Sequence, residues 1–201
     1  MKSSKIISTI FHPINFPITG AILYFLLLPK YIYIEQERLL LSVTFIGTYL
    51  FPLLLIFLLK QFKMINSYHM ETIEERKFPM LLFISITFII GHWLYKSTAV
   101  DLLSLFYFGY GIGLIMAYCL LYLNIKVSLH TAAISGLVGF MAYFSFYYKI
   151  NLLVILAVLS LLTGLVATSR LYLQAHKFSE VFLGFILGLT TQFLVYLIYI
   201  I

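Results

Sequence analysis

The chain has 201 residues, of which 63% are hydrophobic and only 10% are charged. A soluble domain is about a quarter charged, so this composition excludes a water-soluble globular protein and makes lipid the solvent for most of the surface. The formal net charge of +6 comes without a long basic run or basic residues interleaved with aromatic ones, so we expect no nucleic-acid partner.

The N-terminal residues resemble the start of a signal peptide. Lys2 and Lys5 supply the positive charge, but Pro13 and Pro17 interrupt the apolar stretch that follows. No cleavage site of small residues stands out. We therefore expect a retained first segment.

Seven apolar segments follow one another along the chain. They cover approximately residues 14–28, 39–59, 78–95, 102–123, 130–147, 152–168 and 181–201. Each is continuously apolar, and backbone groups in hydrocarbon need internal hydrogen-bond partners, so helices are expected rather than the alternating strands of a barrel. About 20 apolar residues span a bilayer. The sequence predicts an all-α, polytopic transmembrane helical bundle of six or seven spans, forming a single domain over residues 1–201 in the cell (inner) membrane.

A few residues inside the apolar segments carry structural expectations. Gly184 and Gly188 form a Gly-x-x-x-Gly pair, which predicts a close contact between two helices. Cys119, the single cysteine, is expected to be a small buried side chain. For His92 we expect a buried hydrogen bond, although an ionisable residue inside a span is also a weak indication of function.

The polar residues of greatest interest gather at the ends of spans. If all seven segments cross the membrane, the N-terminus and the loops after the second, fourth and sixth segments lie on the same side. An even number of crossings then separates the polar groups, so a helical bundle can assemble them into one site. They are Arg76, Lys77, Lys126, Ser128, His130, Arg170, His176 and Glu180. The basic residues do not settle which side faces the cytoplasm.

The stretch from Ser169 to Glu180 gives the strongest chemical signal. His176 and Glu180 are four residues apart, so on a helix they share a face and can pair. A carboxylate bonded to one imidazole nitrogen makes the other nitrogen a better nucleophile or base. Arg170 can hold two oxygens of a phosphate at once.

Two other stretches add cations and a second histidine. Lys126, Ser128 and His130 open the fifth segment, where a helix N-terminus favours anions. Arg76 and Lys77 open the third segment. Two histidines, a carboxylate and several cations suit phosphoryl transfer, in which one histidine attacks phosphorus and the other protonates the leaving oxygen.

The stretch from Ser169 to Glu180 resembles a motif of the type-2 phosphatidic acid phosphatase family. These are metal-independent membrane phosphatases related in fold to the vanadium haloperoxidases. Their third motif reads Ser-Arg, five residues, His, three residues, Asp. Ser169, Arg170 and His176 stand at this spacing, and Glu180 replaces the Asp.

The family's other two motifs are matched less completely, so the chain resembles a divergent member. The second motif, Pro-Ser-Gly-His, keeps Ser128 and His130. The first motif, Lys, six residues, Arg-Pro, corresponds to the region of Arg76, but the lysine is missing. The residues at its expected place are His69, Met70 and Glu71, and the candidates to replace it are Lys77 and Lys126.

The resemblance implies a phosphatase-like core over about residues 76–188 and a role for each matched residue. His176 would be the nucleophile, His130 the acid and Glu180 the partner of His176. Phosphate would be held by Arg170, Arg76, Lys77, Lys126 and Ser128 without a metal ion or other cofactor.

The expected reaction is hydrolysis of a lipid or isoprenoid phosphate or diphosphate through a phosphohistidine, with a membrane lipid as substrate. The alternative is a catalytically inactive relative that binds an anionic lipid or assists another membrane protein. A small transporter or channel ranks below both, because the middles of the spans are mostly apolar.

Overall fold

Helices make up nearly all of this computed structural model, which describes residues 2–66, 72–97 and 100–200. They are α1 (Lys2–Ile10), α2 (Asn15–Leu27), α3 (Ile34–Phe45), a π-helical turn (Ile46–Leu50), α4 (Phe51–Gln61), α5 (Ile73–Lys96), α6 (Asp101–Tyr122), α7 (Leu129–Tyr148), α8 (Leu153–Tyr172) and α9 (Phe178–Ile200). The described residues include no strand, which confirms the predicted all-α class.

Within the described residues, six helices are long and apolar enough to cross a membrane. They are the continuous helix Ile34–Gln61, which joins α3, the π-helical turn and α4, and the helices α5, α6, α7, α8 and α9. Helices α1 and α2 bend by 62° at their junction and would together make a seventh candidate. The chain is therefore an integral membrane protein with the predicted bundle architecture.

The segment that includes α2 runs along the length of the bundle. At one end, the ring of His12 contacts the ring of His130 at the start of α7, with the ring centroids 5.4 Å apart. At the other end, the ammonium group of Lys30 lies 5.8 Å from the centroid of the Tyr148 ring, where α7 ends. We call the end of the bundle that carries His130 the site end.

Helix α5 begins earlier than the apolar pattern predicts. The side chain of Thr72 accepts a hydrogen bond from the backbone N–H of Glu75, whose carboxylate in turn accepts from the backbone N–H of Thr72. This capping box provides partners for backbone groups at the first turn. Arg76 and Lys77 consequently lie inside the helix, where helical geometry directs their side chains to different faces.

The predicted glycine contact joins α7 to α9. A Cβ atom added at Gly188 would lie 2.0 Å from the carbonyl oxygen of Ala132, and one added at Gly184 would lie 2.5 Å from that of Ser128. Only glycine permits these backbones to approach so closely. The contact fixes the N-terminal half of α9 against the start of α7.

Two expectations about polar residues inside the spans are wrong. Cys119 and His92 are both exposed on the outside of the bundle instead of buried. Helix α5 packs on α6 through Gly91, against which the ring of Phe108 lies. His92, one residue further along the helix, therefore points away from that contact.

Candidate active site

A groove at the site end is lined by half of the predicted polar residues. His12, Arg76, His130, Arg170 and His176 line its polar part. The groove, including its open mouth, encloses about 950 Å³. Four of these side chains come from the sequence prediction, and the structure brings them together from α5, α7, α8 and the loop before α9.

His176 is held by the carboxylate of Glu180. Its Nδ1 lies 2.7 Å from Oε2 of Glu180, and the side chain of His176 is 3% exposed. The same oxygen accepts a hydrogen bond from the backbone N–H of Lys177, at 3.3 Å. Since a carboxylate only accepts, Nδ1 of His176 carries the proton and Nε2 keeps its lone pair. The predicted hydrogen bond is thus present.

Burial and nearby positive charge favour the neutral form of His176. Burial lowers the pKa of His176, the hydrogen bond to Glu180 opposes that change, and the positive charges of Arg170 and Arg76 lower the pKa further. A neutral imidazole with its Nε2 lone pair available is the form that can act as a nucleophile.

The two arginines make the polar part of the groove positive. Arg170, in the last turn of α8, donates from Nη1 to the hydroxyl of Ser8. Its Nε is buried and has no hydrogen-bond partner among the described residues. Arg76 is close enough to repel Arg170 and to be attracted by Glu180. A buried donor without an acceptor is costly, so this guanidinium is suited to bind an anion.

His130 lies at the start of α7 and is bonded to the N-terminal helix. Its Nε2 is 3.2 Å from the carbonyl oxygen of Ser8 and 3.4 Å from the Ser8 hydroxyl oxygen. Because a carbonyl oxygen can only accept, Nε2 of His130 carries a proton in this arrangement. That proton is one that a general acid could donate.

Three of the predicted phosphate-binding residues do not line the groove. The amine of Lys77 pairs with Glu74 at 2.7 Å and lies 5.2 Å from the centroid of the Tyr122 ring. Lys126 is half-buried in the loop before α7.

Ser128, the third of these residues, has a structural position. It is fully buried, and its backbone N–H donates to the carbonyl oxygen of Glu180 at 3.1 Å. This bond joins the start of α7 to the start of α9. His69, Met70 and Glu71, at the place of the missing lysine, lie outside the described residues.

The N-terminal segment contributes two residues that the motif comparison missed, Ser8 and His12. Ser8 is buried and His12 lines the groove. The hydroxyl of Tyr110 donates to the carbonyl oxygen of Pro13 at 2.9 Å, which fastens the segment to α6. The signal in the sequence was the position of these residues on the same predicted side as His130.

The remainder of the groove is apolar and extends between α4 and α5. Pro52 and Ile56 of α4 face Phe83 and Ile86 of α5 across it. Pro52 lacks an N–H, and the preceding turn is π-helical, with the N–H of Phe51 bonded to the carbonyl oxygen of Ile46. Such local widening of a helix is frequent at functional sites. An acyl or prenyl chain would find apolar walls here.

The site is made of histidines and cations with one carboxylate. Among the residues that the structure describes, no group of three or more His, Cys, Asp or Glu side chains is placed to hold a metal ion. The groups present can bind an anion, attack it through His176 and donate a proton from His130.

Comparison with known proteins gives one result. Residues 119–200 match the PAP2 superfamily model. No curated protein and no solved structure matches the chain. The matched residues include His130, Arg170, His176 and Glu180, whereas Arg76 lies outside the match and is placed in the groove by the fold. A match to this superfamily indicates phosphatase activity on phosphate esters. The match covers the end of α6 and the last three helices, and this part of the chain is similar to the PAP2 superfamily.

Proposed function

We propose that the protein hydrolyses the phosphate or diphosphate headgroup of a lipid or isoprenoid through a phosphohistidine, in the cell (inner) membrane. The observation that carries this proposal is the buried His176 paired with Glu180 at the polar end of an apolar groove. A soluble substrate would not need apolar walls next to the phosphate site. A membrane lipid would, because its tail remains in a hydrophobic environment while the headgroup reacts.

The first step is binding of the headgroup. Arg76 and Arg170 neutralise phosphate oxygens, and the buried Nε of Arg170 gains an acceptor. Such charge-assisted contacts are stronger in a partly dry groove than in water. The tail lies along Ile56 and Phe83.

The second step transfers the phosphoryl group. Nε2 of His176 attacks phosphorus and the bond from phosphorus to the leaving oxygen breaks. His130, which is protonated on both ring nitrogens when the anionic headgroup is bound, passes its Nε2 proton to that oxygen and becomes neutral. Glu180 accepts a hydrogen bond from Nδ1 of His176 throughout and stabilises the positive imidazole of the intermediate. The alcohol, or the shorter phosphate, then departs.

The third step regenerates the enzyme. His130, now neutral, takes a proton from a water molecule, whose oxygen attacks the phosphorus of phosphohistidine. The bond from phosphorus to Nε2 of His176 breaks, and inorganic phosphate leaves. The two histidines return to their starting protonation states.

The experiment is an assay of phosphate release by the purified protein from a lipid phosphate and a prenyl diphosphate, with a chelator present. Wild type should release phosphate, and His176→Ala should release none while keeping the thermal stability of wild type. Acid-labile phosphate trapped on His176 would identify the intermediate. If the folded wild type hydrolyses neither substrate, or if His176→Ala is as active as wild type, the enzyme proposal fails. The non-catalytic alternative, a protein that binds anionic lipid, then replaces it.

A further inference from the structure

Helix α1 places one residue directly on the two groups that the reaction needs. Ser8 is buried, whereas its neighbour Thr9 is exposed. The Ser8 hydroxyl oxygen accepts from Nη1 of Arg170, and its carbonyl oxygen lies 3.2 Å from Nε2 of His130. Two oxygens of Ser8 therefore contact the donors that the proposed function assigns to the substrate.

The contact with His130 is incompatible with turnover. Nε2 of an imidazole carries at most one proton, so it cannot donate to the Ser8 carbonyl oxygen and to a leaving oxygen at the same time. Nη1 of Arg170 gives one of its two N–H groups to the Ser8 hydroxyl, which holds α1 next to the phosphate-binding guanidinium. A substrate that takes the Nε2 proton of His130 must displace Ser8, and with it the helix that carries it.

The structure around α1 permits such a displacement. Tyr107 donates to the carbonyl oxygen of Pro17 at 3.0 Å, and Tyr110 does so to that of Pro13. These bonds fix α2, whereas α1 lies beyond the 62° bend and packs on α8. Ile6 and Ile10, on one face of α1, are 58% and 59% exposed. An amphipathic helix with such a face can lie in the membrane interface once it leaves the groove.

We propose that α1 is a lid that closes the site through Ser8 and that the substrate's phosphate displaces it. The proposal rests on the proposed function for the identity of the displacing group. The closed lid lowers the apparent affinity for phosphate by the fraction of molecules in which the site is open. Substitutions that weaken or strengthen the Ser8 contact therefore change phosphate affinity in opposite directions.

The test uses the full chain in lipid nanodiscs, with inorganic phosphate as the probe. The variants are Ser8→Ala, which removes the hydroxyl contact, and Ser8→Asp, which places a carboxylate against Arg170. Thr9→Asp is the matched control, because it adds the same charge one residue along, where the side chain is exposed and its hydroxyl donates to the carbonyl oxygen of Lys5. Phosphate affinity is measured by titration, and backbone exchange of α1 by hydrogen–deuterium exchange.

We expect Ser8→Ala to bind phosphate more tightly and to exchange faster in α1. Ser8→Asp should weaken phosphate binding by at least about tenfold, because an ion pair with Arg170 replaces a hydrogen bond in which only the arginine is charged, and should slow exchange. Phosphate should accelerate exchange of α1 in wild type, and Thr9→Asp should behave as wild type.

Three results would overturn the lid proposal. The first is weaker phosphate binding by Ser8→Ala, and the second is slower exchange of α1 when phosphate is added to wild type. The third is an exchange rate of α1 that neither substitution at Ser8 changes. Equal effects of Ser8→Asp and Thr9→Asp would do the same, because the effect would then be one of charge alone. Failure of the proposed function looks different. In that case no variant hydrolyses a lipid phosphate, although phosphate still binds and α1 exchange still follows the substitutions at Ser8.

Discussion

His176 is surrounded by groups that act on its protonation in opposite directions. Burial and the two arginines lower its pKa, while the bond to Glu180 raises it, and the net result lies below the ordinary value of 6.5. In the proposed reaction, the neutral form of His176 is the nucleophile. The imidazole is neutral above its pKa and becomes protonated, and unreactive, as the pH falls through it.

The pH dependence of kcat/KM should therefore have an acid limb below pH 6.5. Glu180→Gln removes the negative charge that favours the protonated imidazole, so the pKa of His176 should fall and the limb should move to lower pH. The plateau rate should fall too, since the intermediate loses its counter-charge. A pH–rate series on both proteins measures this, and a limb that moves to higher pH in Glu180→Gln would contradict the assignment.

The neighbouring cations Arg76 and Lys77 offer a matched pair of substitutions. Arg76 lines the groove, whereas Lys77 pairs with Glu74 at the surface of α5. Arg76→Ala should lower kcat/KM by about 100-fold, the usual effect of removing one charge-stabilising donor. Lys77→Ala should leave it nearly unchanged. Steady-state kinetics compares them, and an equal loss in both would mean that net charge, not position, is responsible.

At the scale of the helices, the glycine contact between α7 and α9 can be tested directly. Gly188→Ala places a Cβ atom against the backbone carbonyl of Ala132, which cannot rotate away as a side chain could. We expect a loss of about 1–3 kcal/mol in stability. Gly164→Ala is the control, because a Cβ there meets nothing within 4 Å. Thermal unfolding in detergent gives the midpoint of each variant. Equal midpoints would show that α7 and α9 can move apart to admit the methyl group without loss of stability.

The sequence was sufficient for the elements whose signal is local. Continuous apolar runs predicted the spans, and the four-residue spacing predicted the bond between His176 and Glu180. Site residues that reach the groove only through contacts between distant parts of the chain could not be predicted from local sequence patterns. Ser8 is one polar residue in a short helix, and nothing in its neighbourhood indicates that it meets Arg170, far away in the chain.

Lys77 and His92 show a different limit. The direction in which each side chain points depends on the rotation of α5 about its axis. The capping box at Thr72 and the packing of Gly91 against Phe108 fix this rotation. An apolar helix in lipid has hydrophobic residues on every face, so periodicity does not reveal which face is inside. The rotation, and hence the exposure of these side chains, comes from helix–helix packing.

At the scale of the whole molecule, the apolar part of the groove should select substrates by their tails. Ile56→Trp fills the space between α4 and α5, so kcat/KM for a long-chain lipid phosphate should fall by about tenfold or more, whereas that for a short-chain phosphate should not. Leu54→Trp is the control, since Leu54 is 53% exposed on the same helix. Kinetics with two chain lengths measures the ratio. An equal effect on both substrates would place the tail elsewhere.

The proposed reacting groups and the apolar walls of the groove come from separate stretches of chain. His130, Arg170, His176 and Glu180 come from α7 to α9 and their connections, where glycines and the bond from Ser128 to Glu180 set their spacing. The walls that would receive the tail come from α4 and α5. Mutations in the wall can therefore accumulate without moving the reacting imidazoles. A lineage of such proteins could acquire new substrates by drift in its first half while its second half stays under purifying selection.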